Sequence, residues 1–125
     1  MEAVHTDSAP AAIGPYSQAR CVGDLIFVSG QLPLDAASGQ VVSDVPAEQA
    51  RQCLANIKAI SQAAGSNIGN TIKTTIFVTE LASFASINEV YGTFFDAPYP
   101  ARACVEVSAL PKGAKVEIEA IIKRG

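Results

Sequence analysis

Several residue types that common enzyme chemistries need are scarce in this chain of 125 residues. His5 is the only histidine, which argues against a Ser-His-Asp triad and against a histidine-ligated zinc site. The three cysteines, Cys21, Cys53 and Cys104, have neither metal-ligand nor Cys-x-x-Cys spacing. We therefore expect no metal cofactor, and a reducing compartment such as the cytoplasm.

Positive charge is also limited. Nine Lys and Arg residues against twelve Asp and Glu give a formal net charge of −3, without a basic cluster, which argues against a nucleic-acid partner. The polar segment Met1–Pro10 lacks the apolar core of a signal peptide. No apolar run approaches the roughly 20 residues of a membrane-spanning helix. Neither nucleic acid nor a membrane is an expected partner.

Apolar residues are abundant instead. They make up 49% of the chain, whereas charged residues make up 17%, compared with about 25% in an average globular domain. The length fits a single domain, 1–125, with a core of its own. The apolar excess indicates either a face hidden in an oligomer or simply an alanine-rich chain, and composition leaves both open.

Hydrophobic periodicity predicts the element order β-β-α-β-α-β-β, an α+β class with a mixed sheet and two helices on one face. The predicted strands span 17–22, 25–30, 71–79, 102–107 and 115–123, and the predicted helices span about 44–64 and 83–95. Asp44 is expected to cap the first helix, and Pro46 to lie in its first turn. The segment 31–44 is predicted to be a loop that contains a small hairpin.

The last two strands carry the most informative side chains. Alternation groups Ala103, Val105, Val107, Val116, Ile118, Ala120 and Ile122 on one face, and Arg102, Cys104, Glu106, Glu117 and Glu119 on the other. If the helices cover the apolar face, the polar face must meet solvent, a ligand or another subunit. A hairpin centred near Pro111 would place Glu117 beside Cys104 and within a few ångströms of Arg102.

Such a pair suits the chemistry of small carboxylates. An arginine binds a carboxylate through two parallel hydrogen bonds, and Glu117 could orient or deprotonate a water molecule. A cross-strand ion pair on a solvated sheet face would explain the same pattern. Cys104 has no His or Lys neighbour to lower its pKa, so a small apolar side chain is its default interpretation.

Three weaker signals accompany this pair. Gly14-Pro15-Tyr16-Ser17 is a turn that leads into the first predicted strand, and Ser29-Gly30 ends the second, where a ligand could approach the backbone. Asn88 lies one helical turn after Phe84, beside an apolar stripe. Ordinary turn chemistry and an exposed asparagine would explain these residues equally well.

Several short sequence blocks are more specific than any single residue. The most specific stretch is PARACVEV at 100–107, followed by LPKG at 110–113 and KVEIEA at 115–120. Supporting blocks are AAIGPYS at 11–17, VSGQ at 28–31, QARQ at 49–52 and KTTIFV at 73–78. Taken together, these blocks resemble the reactive-intermediate deaminase (RidA/YjgF) family over nearly the whole chain.

The resemblance implies a fold like that of the trimeric chorismate mutases, with sheets facing a central barrel and sites between the subunits of a homotrimer. The implied reaction is hydrolysis of 2-iminobutanoate and 2-iminopropanoate, the tautomers of 2-aminocrotonate and 2-aminoacrylate, to a 2-keto acid and ammonia. This reaction protects pyridoxal-phosphate enzymes. No metal or organic cofactor is implied.

The resemblance also implies residue roles. Arg102 would hold the substrate carboxylate, Glu117 would hold or activate the attacking water, and Cys104 would contribute mainly its backbone. The pocket would be shaped by Tyr16, Ser29, Gly30, Phe84 and Asn88. The link 96–99 before Arg102 is shorter than in some members, so Tyr99 could alter access and substrate size preference.

Two other functions are compatible with parts of the pattern. A non-catalytic regulatory trimer could bind small carboxylates such as 2-keto acids, because binding needs only the arginine. A chorismate mutase would share the fold type, but fold does not imply function. That reaction needs several cations for a dicarboxylate, and the polar face offers one clear arginine.

Overall fold

A computed structural model describes residues 1–125 as one six-stranded sheet with two helices on one face. The strands are β1 (Glu2–Val4), β2 (Ala19–Val22), β3 (Leu25–Gln31), β4 (Thr71–Val78), β5 (Ala101–Glu106) and β6 (Val116–Lys123). The helices are α1 (Pro46–Ala63) and α2 (Phe84–Gly92), and short 3₁₀ turns lie at Ile68–Asn70, Leu81–Ser83 and Pro111–Gly113. The predicted α+β class is confirmed, and neither helix combines the length and apolar character that would let it cross a membrane.

Helix α1 covers the centre of the sheet with the apolar stripe that its periodicity predicts. Its fully buried apolar residues are Ala50, Cys53, Leu54, Ile57 and Ile60, and they share one core with Val116, Ile118 and Ile122 of β6. Pro46 occupies the first helical position as predicted. The predicted cap is wrong, because Val45 precedes the helix and no side chain forms a capping hydrogen bond.

Two local features differ from the predicted strands. The N-terminal segment, which lies outside the predicted strands, forms β1 and pairs with β2, and Val4 is buried. A strand of three residues is too short to show a period in the sequence. In β4, an irregularity between Thr71 and Lys73 turns Ile72 outward, where 44% of it is exposed, whereas Thr71 is buried. A bulge of this kind shifts the alternation by one residue.

The strand order is β1-β2-β3-β6-β4-β5, so the predicted hairpin between the last two strands is wrong. Strand β5 pairs only with β4, in parallel, and β6 lies between β3 and β4, antiparallel to both. The reason is that α2 is a crossover helix, which returns the chain beside β4 in the same direction. The segment 107–115 then carries the chain past β4 to the centre of the sheet.

This order changes which residues share a face. Arg102 is the register partner of Thr74, and Cys104 is the partner of Ile76. Because Thr74 and Ile76 are buried beneath the helices, Arg102 and Cys104 lie on the helix side of the sheet. Glu117 is the partner of Phe77 on the opposite side. The prediction that Arg102, Cys104 and Glu117 share one face is therefore wrong within a single chain.

The second face of the sheet has no helix over it. It presents a mixture of apolar, polar and charged side chains, namely Arg20, Phe27, Lys73, Thr75, Phe77, Ala103, Val105, Glu117, Glu119 and Ile121. Phe27 is 43% exposed and Val105 is 41% exposed. Apolar patches that charged residues surround mark interaction surfaces. We call this surface the open face.

Candidate active site

The first half of the candidate site surrounds Arg102. Its guanidinium carbon lies 5.1 Å from the centre of the Phe84 ring and 4.8 Å from the centre of the Tyr91 ring. Its Nη1 donates a hydrogen bond of 2.6 Å to Oδ1 of Asn88. No carboxylate lies within ion-pair distance of Arg102. The positive charge is therefore held in place but not neutralised, which suits the capture of an anionic ligand.

Helix α2 builds this environment because Phe84, Asn88 and Tyr91 recur at intervals of four and three residues, on one helical face. The two rings present their electron-rich faces to the cation. Phe84 and Asn88, predicted to shape the pocket, contact Arg102 directly. Tyr91 was not among the predicted site residues, yet its ring also contacts Arg102.

A cleft of about 480 Å³ opens beside the guanidinium. Its lining residues are Asn88, Tyr91, Gly92, Tyr99, Pro100 and Arg102. Tyr99 is 63% exposed and forms part of the outer wall. The predicted influence of Tyr99 on access therefore has a physical basis in its position.

Cys104 lies on the same side of β5 and is half-buried. Burial raises the pKa of its thiol, and the charge of Arg102 offsets this only in part. A protonated thiol is a poor nucleophile. The N–H of Val107 donates to the carbonyl of Val78, and backbone polar groups alternate in direction along a strand. The N–H of Cys104 therefore points to the free edge of the sheet, where a ligand can reach it.

The second half of the candidate site surrounds Glu117, in a cavity of about 650 Å³. Four predicted site residues, Tyr16, Ser29, Gly30 and Glu117, line this cavity together. Burial raises the pKa of the Glu117 carboxyl, and the negative charge of Glu119 raises it further. No cation pairs with Glu117. A carboxylate with a raised pKa is a stronger base towards water than an ordinary glutamate.

Ser29 and Gly30 serve this half in different ways. The hydroxyl of Ser29 donates to the carbonyl of Ser17 at 2.6 Å, so it offers a ligand only its lone pairs. An added Cβ at Gly30 would lie 2.6 Å from Oε2 of Glu117 and 3.0 Å from its carboxyl carbon. The carboxylate thus occupies the space that any other residue at position 30 would fill. Gly30 sets the position of Glu117.

For the imine hydrolysis that the family resemblance implies, we expect Gly30→Ala to lower kcat/KM about tenfold or more, because the new methyl group displaces the carboxylate. The displaced atoms are the end of a flexible side chain, so the melting temperature should change little. Steady-state kinetics and thermal unfolding check the two effects. An unchanged kcat/KM would contradict the positioning role.

Buried amide side chains hold the walls of the Glu117 cavity and were not predicted. Nε2 of Gln18 donates to the carbonyls of Thr6 and Pro10, at 3.0 and 2.8 Å. Nδ2 of Asn56 donates to the carbonyls of Leu32 and Leu34, both at 3.1 Å. Both amides are almost fully buried, and buried amides need such partners. The sequence signal that could have identified Gln18 and Asn56 is an amide residue within an apolar pattern.

The two halves do not meet within one chain. Arg102 is two strands away from Glu117, with three residues of offset along β4. Strand spacing and rise place their backbones roughly 14 Å apart, and the side chains leave opposite faces of the sheet. The predicted separation of a few ångströms is wrong. No group of three His, Cys, Asp or Glu side chains lies close enough together to hold a metal ion.

The chain is similar to known proteins over nearly its whole length. The family model described as Endoribonuclease L-PSP matches residues 6–123. A RutC family protein, y4sK, of Sinorhizobium fredii is 61% identical over 98% of this chain and 97% of its own length. The 2-iminobutanoate/2-iminopropanoate deaminase of Escherichia coli K12 is 52% identical over 97% of this chain and 96% of its own.

Solved structures also resemble this chain over nearly its full length. The crystal structure of E. coli TdcF with bound serine has a TM-score of 0.94 and 49% identity, and it covers 100% of both chains. The crystal structure of RidA from Psychrobacter sp. PAMC 21119 has a TM-score of 0.95 and 45% identity, and it covers 98% of this chain and 99% of that chain. The chain therefore shares both its fold and much of its sequence with these two structures over nearly its whole length.

Proposed function

Because the chain belongs to the RidA/YjgF family, as its sequence predicted, we propose that it hydrolyses 2-iminobutanoate and 2-iminopropanoate to the 2-keto acid and ammonia. It is an enzyme of the imine deaminase class, in agreement with the names of its relatives. The observation that carries the proposal is an unneutralised arginine in one cleft and a glutamate of raised pKa in another. The first suits a substrate carboxylate and the second suits a water molecule.

The reaction needs little beyond these two groups. Arg102 binds the carboxylate, and Glu117 takes a proton from water as the oxygen attacks the imine carbon. The imine enters in its protonated form, so the C=N electron pair that moves to nitrogen leaves a neutral amine. Glu117 then returns its proton to this nitrogen, the hydroxyl lone pair expels ammonia as the C–N bond breaks, and Glu117 takes the hydroxyl proton to leave the ketone. That proton passes to ammonia, which departs as ammonium and regenerates the carboxylate. An oriented water and a fixed carboxylate supply the catalysis through positioning.

We place the complete site between two subunits of a homotrimer. Arg102 and Glu117 leave opposite faces of the sheet, so Arg102 of one copy can meet only Glu117 of another. The exposed apolar side chains of the open face and the unpaired edge of β5 support assembly of this kind. Three copies would place their open faces around a central barrel, like the trimeric chorismate mutases.

The ligand class and the compartment follow from the same features. A relative has been solved with bound serine, a small amino acid whose carboxylate would suit Arg102. The description of the family model names an endoribonuclease, but a net charge of −3 without a basic cluster gives RNA binding no support. All three cysteines are free, which agrees with a cytoplasmic location.

Complementation of two inactive variants tests the shared site. We expect Arg102→Ala and Glu117→Gln each to be inactive alone but active after co-expression with different affinity tags and isolation of the mixed trimers. In a mixed trimer of either composition, one of the three interfaces pairs an intact arginine with an intact glutamate, so about one third of the sites are complete. Activity of about that fraction of wild type is the expected result, measured by imine hydrolysis.

Three outcomes would overturn parts of this proposal. Mixed trimers without activity would place both residues in the same chain's site, contrary to the sheet geometry. A monomer in sedimentation equilibrium at micromolar concentration would remove the shared site altogether. Wild-type protein that binds 2-ketobutyrate but hydrolyses no imine would favour the regulatory, non-catalytic trimer.

A further inference from the structure

We propose that Thr74 and Tyr91 are positioning residues that set the plane of the Arg102 guanidinium through a buried hydrogen bond. The hydroxyls of Thr74 and Tyr91 lie 2.7 Å apart. Both residues are buried, with 1% and 4% of their surfaces exposed. The inference rests on the proposed role of Arg102 as the carboxylate clamp and names the groups that orient it.

The three residues form a closed set of contacts. Thr74 on β4 is the register partner of Arg102 on β5, so the two side chains leave the same face side by side. The Thr74 hydroxyl forms its hydrogen bond with the tyrosine hydroxyl, and the centre of the tyrosine ring lies 4.8 Å from the guanidinium carbon. Strand pairing, one hydrogen bond and one ring contact therefore connect each residue to the other two.

Arg102 needs such support because it lies on an edge strand and is exposed. A free arginine side chain samples many rotamers, and binding a carboxylate through two parallel bonds requires one fixed plane. Asn88 fixes one end of the guanidinium through Nη1. This hydrogen bond alone would leave the guanidinium free to rotate about that end, and the faces of the Phe84 and Tyr91 rings stop the rotation.

The tyrosine hydroxyl is not required for packing alone. The ring of Tyr91 already packs against Phe95, with ring centres 4.7 Å apart and an angle of 42° between their planes. A phenylalanine would fill the same space without burying a hydroxyl. A buried hydroxyl without a hydrogen-bond partner costs free energy, so the ring is held in the orientation in which its hydroxyl is paired. Thr74 supplies that partner from the strand beside Arg102.

The test is a double-mutant cycle with Thr74→Val, Tyr91→Phe and the double variant. Each single variant leaves one buried hydroxyl unpaired and should lower the melting temperature, whereas the double variant removes both hydroxyls and should recover it. We expect all three variants to raise KM about fivefold or more while kcat stays within about twofold, because carboxylate binding is lost and water activation is not. A double variant that recovers both stability and KM would overturn the proposal.

Thr93→Val is the matched control. It also removes one threonine hydroxyl, which bonds only the carbonyl of Val90 at the end of α2. We expect wild-type KM for this variant.

A readout without catalysis separates this inference from the proposed function. The NMR signal of the Arg102 Nε–H, assigned by its loss in Arg102→Ala, reports the ring beside it. We expect Thr74→Val to move this signal and Thr93→Val to leave it in place. An unmoved signal in Thr74→Val would refute the positioning role even if the enzyme is active. A moved signal would support it even if no imine is hydrolysed.

Discussion

Arg102→Ala should reduce kcat/KM for 2-iminobutanoate by about two orders of magnitude or more. Arg102 is the one cation held in the cleft beside α2 without a carboxylate partner. Loss of a clamp on a charged group costs about 3 kcal/mol, or roughly 100-fold. In the assay, a threonine dehydratase generates the imine, and semicarbazide traps whatever the protein has not hydrolysed.

Two variants make this result interpretable. Arg51→Ala removes an exposed arginine from the outer surface of α1 and should retain wild-type activity. Arg102→Lys keeps the charge but loses the planar fork and the stacking on Phe84 and Tyr91, so it should recover only a small part of the activity. Near-wild-type hydrolysis by Arg102→Ala would exclude the clamp.

Glu117→Gln is expected to abolish hydrolysis while increasing stability at pH 7. Glutamine keeps the size of the side chain but cannot accept a proton from water, so kcat should fall about 100-fold or more. The gain in stability follows from the raised pKa of Glu117, which burial causes and the charge of Glu119 increases. An ionised carboxylate at this position costs stability that the neutral amide does not.

The sign of this effect fixes its pH dependence. The folded-state pKa of Glu117 lies above its ordinary value of 4.5, so the folded protein binds this proton more tightly than the unfolded chain. The contribution of Glu117 to stability therefore falls as pH rises through this range, and the advantage of Glu117→Gln should disappear below about pH 4.5. Thermal unfolding of both proteins across pH measures the difference. A variant less stable than wild type at pH 7 would contradict the assignment.

The same group should control the acid limb of the activity profile. Only ionised Glu117 can accept a proton, so wild-type kcat/KM should rise with pH through a pKa above 4.5. Glu119→Gln removes the neighbouring negative charge and should move this limb to lower pH. An acid limb that Glu119→Gln leaves in place would assign it to another group.

Much of this protein could be predicted from local sequence patterns. The apolar stripe of α1, the alternation in β6 and the crossover helix before β5 depend on residues a few positions apart, and the structure retains them. The residue blocks around Arg102 and Glu117 likewise identified the family, which full-length relatives confirm. The predicted roles of these residues remain predictions that the variants above test.

The neighbours of each strand, by contrast, were decided by the tertiary structure. Alternation along 101–106 shows that Arg102 and Cys104 share a face, but it does not show which face the helices cover. Because Ala103 and Val105 are apolar, their face was expected to lie beneath the helices. However, β5 is an edge strand, where burial does not decide which face the helices cover. There the rings of Phe84 and Tyr91 hold the guanidinium under α2, and Val105 remains on the open face.

The sequence by itself therefore determined the family and every helix and strand except β1, and it supplied the candidate site residues. Only the tertiary structure decided that Arg102 and Glu117 leave opposite faces of the sheet, so that they cannot meet within one chain. The physical reason is that periodicity is a property of one segment, whereas strand pairing joins residues distant in the chain. The position of β6 between β3 and β4 depends on its pairing with both strands, which lie far from it in the sequence.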